Sequence, residues 1–237
     1  MEPHGPICLP AGVPEENVSI FLILCVYHEK EALPKVLAHH LPYVDGAIVA
    51  HDGPCTDGSI KAAAATPKVF CCETAERRGY CEPVREEARR FALNKGATWG
   101  VILDADERWN TPLLENLRRI VTAAEASAEL LQEVITGFLI NRVTVFLPEG
   151  IVPPLTTDWQ LRLVRLDAGY FSDVIHTNMT LLSGRAPMLP LIYGIDHVND
   201  LTRGAEKTAR YHTVVRHLMV QYNHDAEVME HLRAALR

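Results

Sequence analysis

Between residues 18 and 110 the chain repeats one alternation: a short apolar run, then a more polar stretch with helical spacing. "VSIFLILCV" (18–26), "GAIVAHDG" (46–53), "KVFCCE" (68–73) and "WGVILDAD" (99–106) read as strands; the first, apolar nearly throughout, suits a strand buried on both faces. "EKEALPKVLAHHL" (29–41), "CTDGSIKAAAA" (55–65) and Glu82–Lys95 read as helices, with Pro34 tolerable only near a first turn and Thr56 or Asp57 as a cap. A β-α-β-α-β-α-β series predicts an α/β fold: a mostly parallel, doubly wound sheet with helices on both faces. Such sheets bind ligands in the crevice at the carboxyl ends of their strands.

After this series the rhythm changes. Thr111 reads as an N-cap followed by Pro112 at the first helical position, opening a helix to about Ser127. "GFLINRVTVFL" (137–147) and "WQLRLVRL" (159–166) alternate partly, as strands with one wetter face do, and the Pro-rich "PEGIVPPLTTD" (148–158) links them. From Thr202 onward the pattern is helical and amphipathic, and residues 1–17, proline-rich and polar, read as a loose arm.

The chain of 237 residues, at 48% hydrophobic and 22% charged, is that of a soluble globular protein able to bury a core without staples. A net charge of −7 excludes a general electrostatic footprint for nucleic acid, so an anionic ligand needs local arginines or a bound cation. The six cysteines (Cys8, Cys25, Cys55, Cys71, Cys72, Cys81) lack CxxC spacing and read as half-buried thiols in a reducing compartment. The N-terminal stretch has no signal-peptide pattern, and the longest apolar run, Ile20–Val26, is too short to span a bilayer. A cytoplasmic protein is expected.

The run Val101–Leu103 ends abruptly in Asp104, Asp106 and Glu107. Carboxylates this close raise one another's proton affinity, and burial adds to the effect. Either something positive sits there or the site faces water. The neighbouring strand ends carry Tyr27, His28 and Glu29, then His51 and Asp52, so three strands deliver polar or acidic groups to one edge. Magnesium and manganese take one or two carboxylates plus substrate phosphates, which suits Asp104 and Asp106. A solvated strand end with helix-capping carboxylates is the alternative, because Asp-x-Asp alone is a weak signal.

"YHEKEAL" (27–33), "VDGAIVAHDGPCTDGS" (44–59), Arg85 with "GATWGVILDADE" (96–107), and the later "QLRLVR", "VIHTN" and "KTARY" follow one another in an order that resembles the family 2 glycosyltransferases. These have the nucleotide-diphospho-sugar transferase fold called GT-A, and the later segments resemble those of the small members that build lipopolysaccharide core and related bacterial glycans. The resemblance implies a single GT-A-like domain over 18–237, with a nucleotide-binding half to about 110, an acceptor half beyond it and a C-terminal helical segment. It implies an inverting transfer of sugar from a nucleoside-diphosphate donor, a UDP-sugar among the candidates, to a glycan, lipid-linked or small-molecule acceptor.

With Arg162 added as a source of charge-assisted hydrogen bonds, the same resemblance assigns Tyr27, Glu29, Asp52, Asp57, Arg85 and Asp104 to the nucleotide sugar. It assigns Asp104, Asp106 and His176 to Mn2+ or Mg2+, with Glu107 bracing the loop. Asp158 and then Asp173 are its candidates for the general base, although neither stands in a clear motif. "HDGPCTDGS" departs from the family by Gly-Pro-Cys where Thr-Gly-Ser is usual, and His28 stands where Asn is common.

Arg142, Arg162 and Arg165 are candidates for phosphate contacts. Trp159 reads as a sugar platform or a core aromatic, and Trp99 as a strand anchor. Arg203, Lys207, Arg210 and Arg216 offer either a solvated helix face or an approach to anionic lipid at the inner face of a membrane. Two other functions remain open. A sugar nucleotidyltransferase would carry a basic Gly-rich loop after the first strand, which "YHEKEALPKVL" does not resemble. A degenerate nucleotide-binding module would keep the fold without transfer.

Overall fold

The computed structural model describes residues 18–132, 134–147, 158–175, 177–200, 204–222 and 224–234. The expected arm at 1–17, most of the 148–158 loop and His176 lie outside them. Among the described residues ten strands form: β1 (Ile20–Val26), β2 (Gly46–His51), β3 (Val69–Glu73), β4 (Trp99–Asp104), β5 (Glu107–Trp109), β6 (Gly137–Leu147), β7 (Asp158–Arg165), β8 (Gly169–Tyr170), β9 (Thr180–Leu181) and β10 (Gly194–Asp200). The helices are α1 (Ala32–His40), α2 (Ser59–Ala64), α3 (Glu82–Asn94), α4 (Thr111–Leu131), α5 (Gly204–Gln221) and α6 (Ala226–Ala234).

Eight strands make one sheet in the order β3-β2-β1-β4-β7-β6-β10-β5, and β8 pairs with β9 apart from it. The first four are mutually parallel, and β1, β2 and β4 are buried nearly throughout, as strands covered on both faces are. β7 runs antiparallel between β4 and β6, β10 is parallel to β6, and β5 closes the far edge antiparallel to β10. Strands from both halves of the chain therefore share one mostly parallel α/β sheet.

The alternation of β1 shows how both faces are filled. Ile20, Leu22 and Leu24 pack with Leu33, Val36 and Leu37 of α1 and with Leu113, Leu117 and Val121 of α4. Phe21 and Ile23 pack on the other face with Val84, Ala88 and Ala92 of α3. Spacings of three or four residues (33, 36 and 37; 113, 117 and 121; 84, 88 and 92) place each set on one helix face. A third cluster joins Val215 and Leu218 of α5 and Leu232 of α6 to Val174 and Ile175. Among the described residues no helix is long and apolar enough to cross a membrane.

Three local expectations shift. The cap of α4 is Asn110, whose side chain accepts from the Leu113 N–H, so Thr111 and Pro112 occupy the first turn instead. The helix also continues past Ser127 to Leu131, because nothing in "AEASAELL" stops it. Strands β5, β8, β9 and β10 were not legible: the short ones have no period to read, and "GIDHVND" is too polar to resemble a core strand.

Candidate active site

Register builds the site. Val26 lies beside His51, Cys25 beside Asp104 and His51 beside Glu73, so the carboxyl ends of β3, β2, β1 and β4 form one row. The antiparallel β7 starts at this edge with Asp158 opposite Arg142 and ends with Arg165 opposite Trp99, at the far edge of the sheet. Arg165 there pairs with Asp167 and Glu125, which separates it from the site.

The carboxylates after β4 have two different partners. Asp104, 30% exposed, is paired with Arg85 from α3 through one oxygen and with Arg162 Nη2 at 3.2 Å through the other. Burial pushes the Asp104 carboxyl up, and the two guanidinium groups more than reverse that, holding it well below the usual carboxylate range. Glu107 is fully buried and accepts from Arg162 at 2.9 Å, Arg142 at 3.1 Å and the Asp104 N–H at 3.2 Å. Arg142 reaches on to Asp158 at 2.6 Å, completing a chain of three arginines and three carboxylates. The positive groups that this strand end demands are thus arginines of α3, β6 and β7. Glu107 braces the loop.

Asp106 turns toward β10. Its Oδ2 lies 3.6 Å from His197 Nε2, and its carbonyl accepts from the Val198 N–H at 3.0 Å. The cause is β5, which pairs with β10 so that Glu107 faces His197 directly. His197 Nδ1 is hydrogen-bonded to Thr144 Oγ1 at 3.0 Å, which fixes the ring and turns Nε2 to Asp106. A histidine oriented through its other nitrogen beside a carboxylate is a donor set that fits a divalent cation. Sequence reasoning missed His197; with apolar residues only at Ile195 and Val198, the segment Gly194–Asp200 carries no strand period that could have marked it.

The residues after β1 and β2 form a separate group. Tyr27 stacks on His28 at 4.0 Å between centroids, and the Arg77 guanidinium lies 3.6 Å from the Tyr27 ring centre. Asp52, 5% exposed, accepts the Arg78 N–H at 2.6 Å and the Gly79 N–H at 2.8 Å, so it holds the 77–79 loop over the strand ends. Asp57 accepts from the Ser59 N–H at 3.0 Å, the Ser59 hydroxyl at 2.7 Å and the Lys30 N–H at 3.2 Å. Slight burial raises its carboxyl, but these bonds dominate and hold it well below the ordinary value. Glu29 starts the turn into α1, its carbonyl accepting from the Leu33 N–H at 2.9 Å.

The other expected residues divide. Asp158 is at the site edge, bonded to Arg142 and to Gln160 Nε2 at 2.5 Å. Asp173 is exposed, its carbonyl accepts from the Tyr80 hydroxyl at 2.9 Å, and it lines a shallow depression with Glu86 and Arg90 of α3. Its described contacts are with that face and not with the Asp104–Glu107 group. Trp159 is half-buried opposite Asn141. Trp99 is a core anchor, its indole N–H donating to Glu125 at 2.6 Å. Arg216 is exposed, while the side chains of Arg203, Lys207 and Arg210 lie outside the described set.

No family model and no curated protein matches the chain. Among solved structures, S. aureus TarS 1-349 superposes with a TM-score of 0.53 at 12% identity, over 92% of this chain and 69% of that one. The same TarS fragment in complex with UDP gives 0.54, and in complex with UDP-GlcNAc 0.52, each at 12% identity over 92% of this chain and 70% of that one. The chain has the TarS glycosyltransferase-like fold. At this identity the likeness is one of architecture, and function has to be argued from the site.

Proposed function

We propose that the chain is an inverting, family 2 type glycosyltransferase that moves a sugar from a nucleoside-diphosphate donor to a hydroxyl acceptor, with Mn2+ or Mg2+ held by Asp106 and His197. One observation carries the reading. In a fold whose solved relative is seen with UDP and UDP-GlcNAc, Asp106 and His197 face each other at 3.6 Å on the carboxyl edge of the sheet, beside the row that ends in Tyr27, Asp52 and Asp104.

The division of labour follows from the contacts. Tyr27 offers an aromatic face to a base. The exposed Arg77 now lying over it is a cation–π partner worth about 0.5–1 kcal/mol, which a stacking base readily replaces. Asp52 and Asp57 shape the walls through the loops they bind. Asp104, fixed as an anion between Arg85 and Arg162, is an acceptor for a ribose hydroxyl. Asp106 and His197 would hold the cation, which when bound would supply Lewis-acid neutralisation of charge on the leaving diphosphate. Asp158, 37% exposed at the same edge, is the carboxylate we assign to the acceptor proton, with Arg142 setting its position.

Thermal melts with UDP, GDP, CDP and dTDP, each with and without Mn2+, test the reading. A nucleotide at a hundredfold excess over its dissociation constant adds about 2.7 kcal/mol. A shift that needs Mn2+ and disappears in Asp106→Ala and His197→Ala is expected. No shift with any nucleotide refutes the donor site. The engagement of both Asp158 oxygens by Arg142 and Gln160 favours one alternative, a nucleotide-binding module without transfer. Nucleotide binding with no turnover of any nucleotide sugar would establish that alternative.

A further inference from the structure

The turn that links β2 to α2, "HDGPCTD", gathers three donors that no step of the proposed transfer employs together. We propose that His51, Cys55 and Asp57 form a binding site for zinc or a similarly thiophilic divalent cation. The imidazole nitrogen, the thiol sulfur and a carboxylate oxygen of these residues all lie within 4.8 Å of one another.

The imidazole is already arranged as a ligand. His51 is fully buried, and its Nδ1 lies 2.7 Å from the Gly53 carbonyl, which only an N–H can satisfy. That bond fixes the tautomer and leaves Nε2 as the acceptor, which takes the His28 N–H at 3.4 Å, a long bond that a metal at Nε2 would replace. A ligating histidine whose other nitrogen donates to a backbone carbonyl is the usual supporting arrangement of metal sites. Cys55 and Asp57 are in contact already, Sγ lying 3.2 Å from Oδ1.

The scaffold around them is tied down on three sides. The Cys55 N–H donates to Glu73 at 2.9 Å, the Gly53 N–H to Thr74 Oγ1 at 2.6 Å, and Ser59 holds Asp57 through both its N–H and its hydroxyl. Zinc draws nitrogen and sulfur ligands to about 2.0–2.3 Å, so the three atoms need to close by roughly 1 Å, within the reach of side-chain rotation. Further donors adjoin the set: the Glu73 carboxylate, 2.9 Å from the Cys55 nitrogen, and His28, with its ring centroid 5.9 Å from that of His51 and its Nε2 on Thr56 Oγ1 at 3.1 Å. One nitrogen and one sulfur in a set of three make the site softer than the Asp106–His197 pair, which distinguishes the two in the metals they take.

Binding is a ligand exchange without electron transfer. The thiol proton that bridges Sγ and Asp57 leaves to solvent, and a sulfur–metal bond forms in its place. The ion would pin the turn after β2 beside Tyr27, whose ring is 5.5 Å from that of His51. The site stands independently of the glycosyltransferase reading.

The test is a titration of the full chain with Co2+, read by thiolate-to-cobalt charge-transfer absorption in the near ultraviolet, followed by displacement with Zn2+. One equivalent of Co2+ giving the band, bleached by Zn2+, is expected. Cys55→Ser should remove the band and weaken Zn2+ binding at least tenfold, while Cys71→Ser and Asp106→Ala keep it. Metal-free melts establish that Cys55→Ser remains folded, and Asp57→Asn serves as a second variant with the same expected loss. Absence of the band in the wild-type chain, or its persistence in Cys55→Ser, would overturn the proposal.

Discussion

Lowering the pH from 7.5 to 5 acts on a buried group bonded to the end of β5, His40. Its ring is fully buried at the end of α1, with Nδ1 donating to the Val36 carbonyl at 2.8 Å and Nε2 accepting the Trp109 N–H at 3.1 Å. Burial is the largest cause that pushes its pKa down, from 6.5 to about 4, and a proton on Nε2 would also confront the Trp109 N–H. The unfolded chain therefore takes up the proton first as the pH falls. Stability from this group is complete above pH 6.5, declines between 6.5 and 4, and is lost below that window. A separation of this size corresponds to about 3 kcal/mol in full and about 2 kcal/mol by pH 5.

The comparison is between the wild-type chain and His40→Gln, which offers a donor and an acceptor but does not titrate. Urea melts at pH 7.5, 6 and 5 read it. At pH 7.5 the variant should be less stable by about 1–3 kcal/mol, the cost of imperfectly satisfying the Val36 and Trp109 groups. Between pH 7.5 and 5 the wild-type chain should lose about 2 kcal/mol more than the variant does. Carboxylates that titrate in the same range affect both chains alike, so the difference isolates His40. Equal losses in the two would refute the reasoning, because His40 would then be protonated equally in folded and unfolded states.

Three further outcomes rest on the same contacts. Glu107→Ala leaves Arg162 buried with only Asp104 opposite it, and should destabilise the fold by about 3–5 kcal/mol in urea melts, far more than loss of a surface carboxylate. Thr144→Val removes the bond that orients His197 and should weaken Mn2+ binding about 10–100-fold by calorimetry, with little change in the metal-free melting temperature. Gly53→Ala places a side chain at φ +86, where its Cβ would stand 3.1 Å from the Arg77 backbone, and should cost more than about 1 kcal/mol in the same melts.

The first half of the fold was legible because it is governed by period. Ile20, Leu22 and Leu24 against Phe21 and Ile23 demand two packed faces, and parallel strands then require crossover helices. The ends of β1, β2 and β4 converge on one edge for the same reason. The second half resisted because its sheet mixes directions. Nothing local in "WQLRLVR" says that β7 runs antiparallel, which brings Arg162 to Asp104 and removes Arg165 to the opposite edge.

A carboxylate-rich strand end at the binding edge of a parallel sheet, in need of positive partners or water, is readable from the linear pattern alone. Which partners meet it is settled by the folded chain. Coulombic pairing depends on separation in space, not along the chain, so Arg85, Arg142 and Arg162 arrive from three different elements to neutralise Asp104, Glu107 and Asp158. The pairing of β5 with β10, distant in sequence, turns Asp106 toward His197.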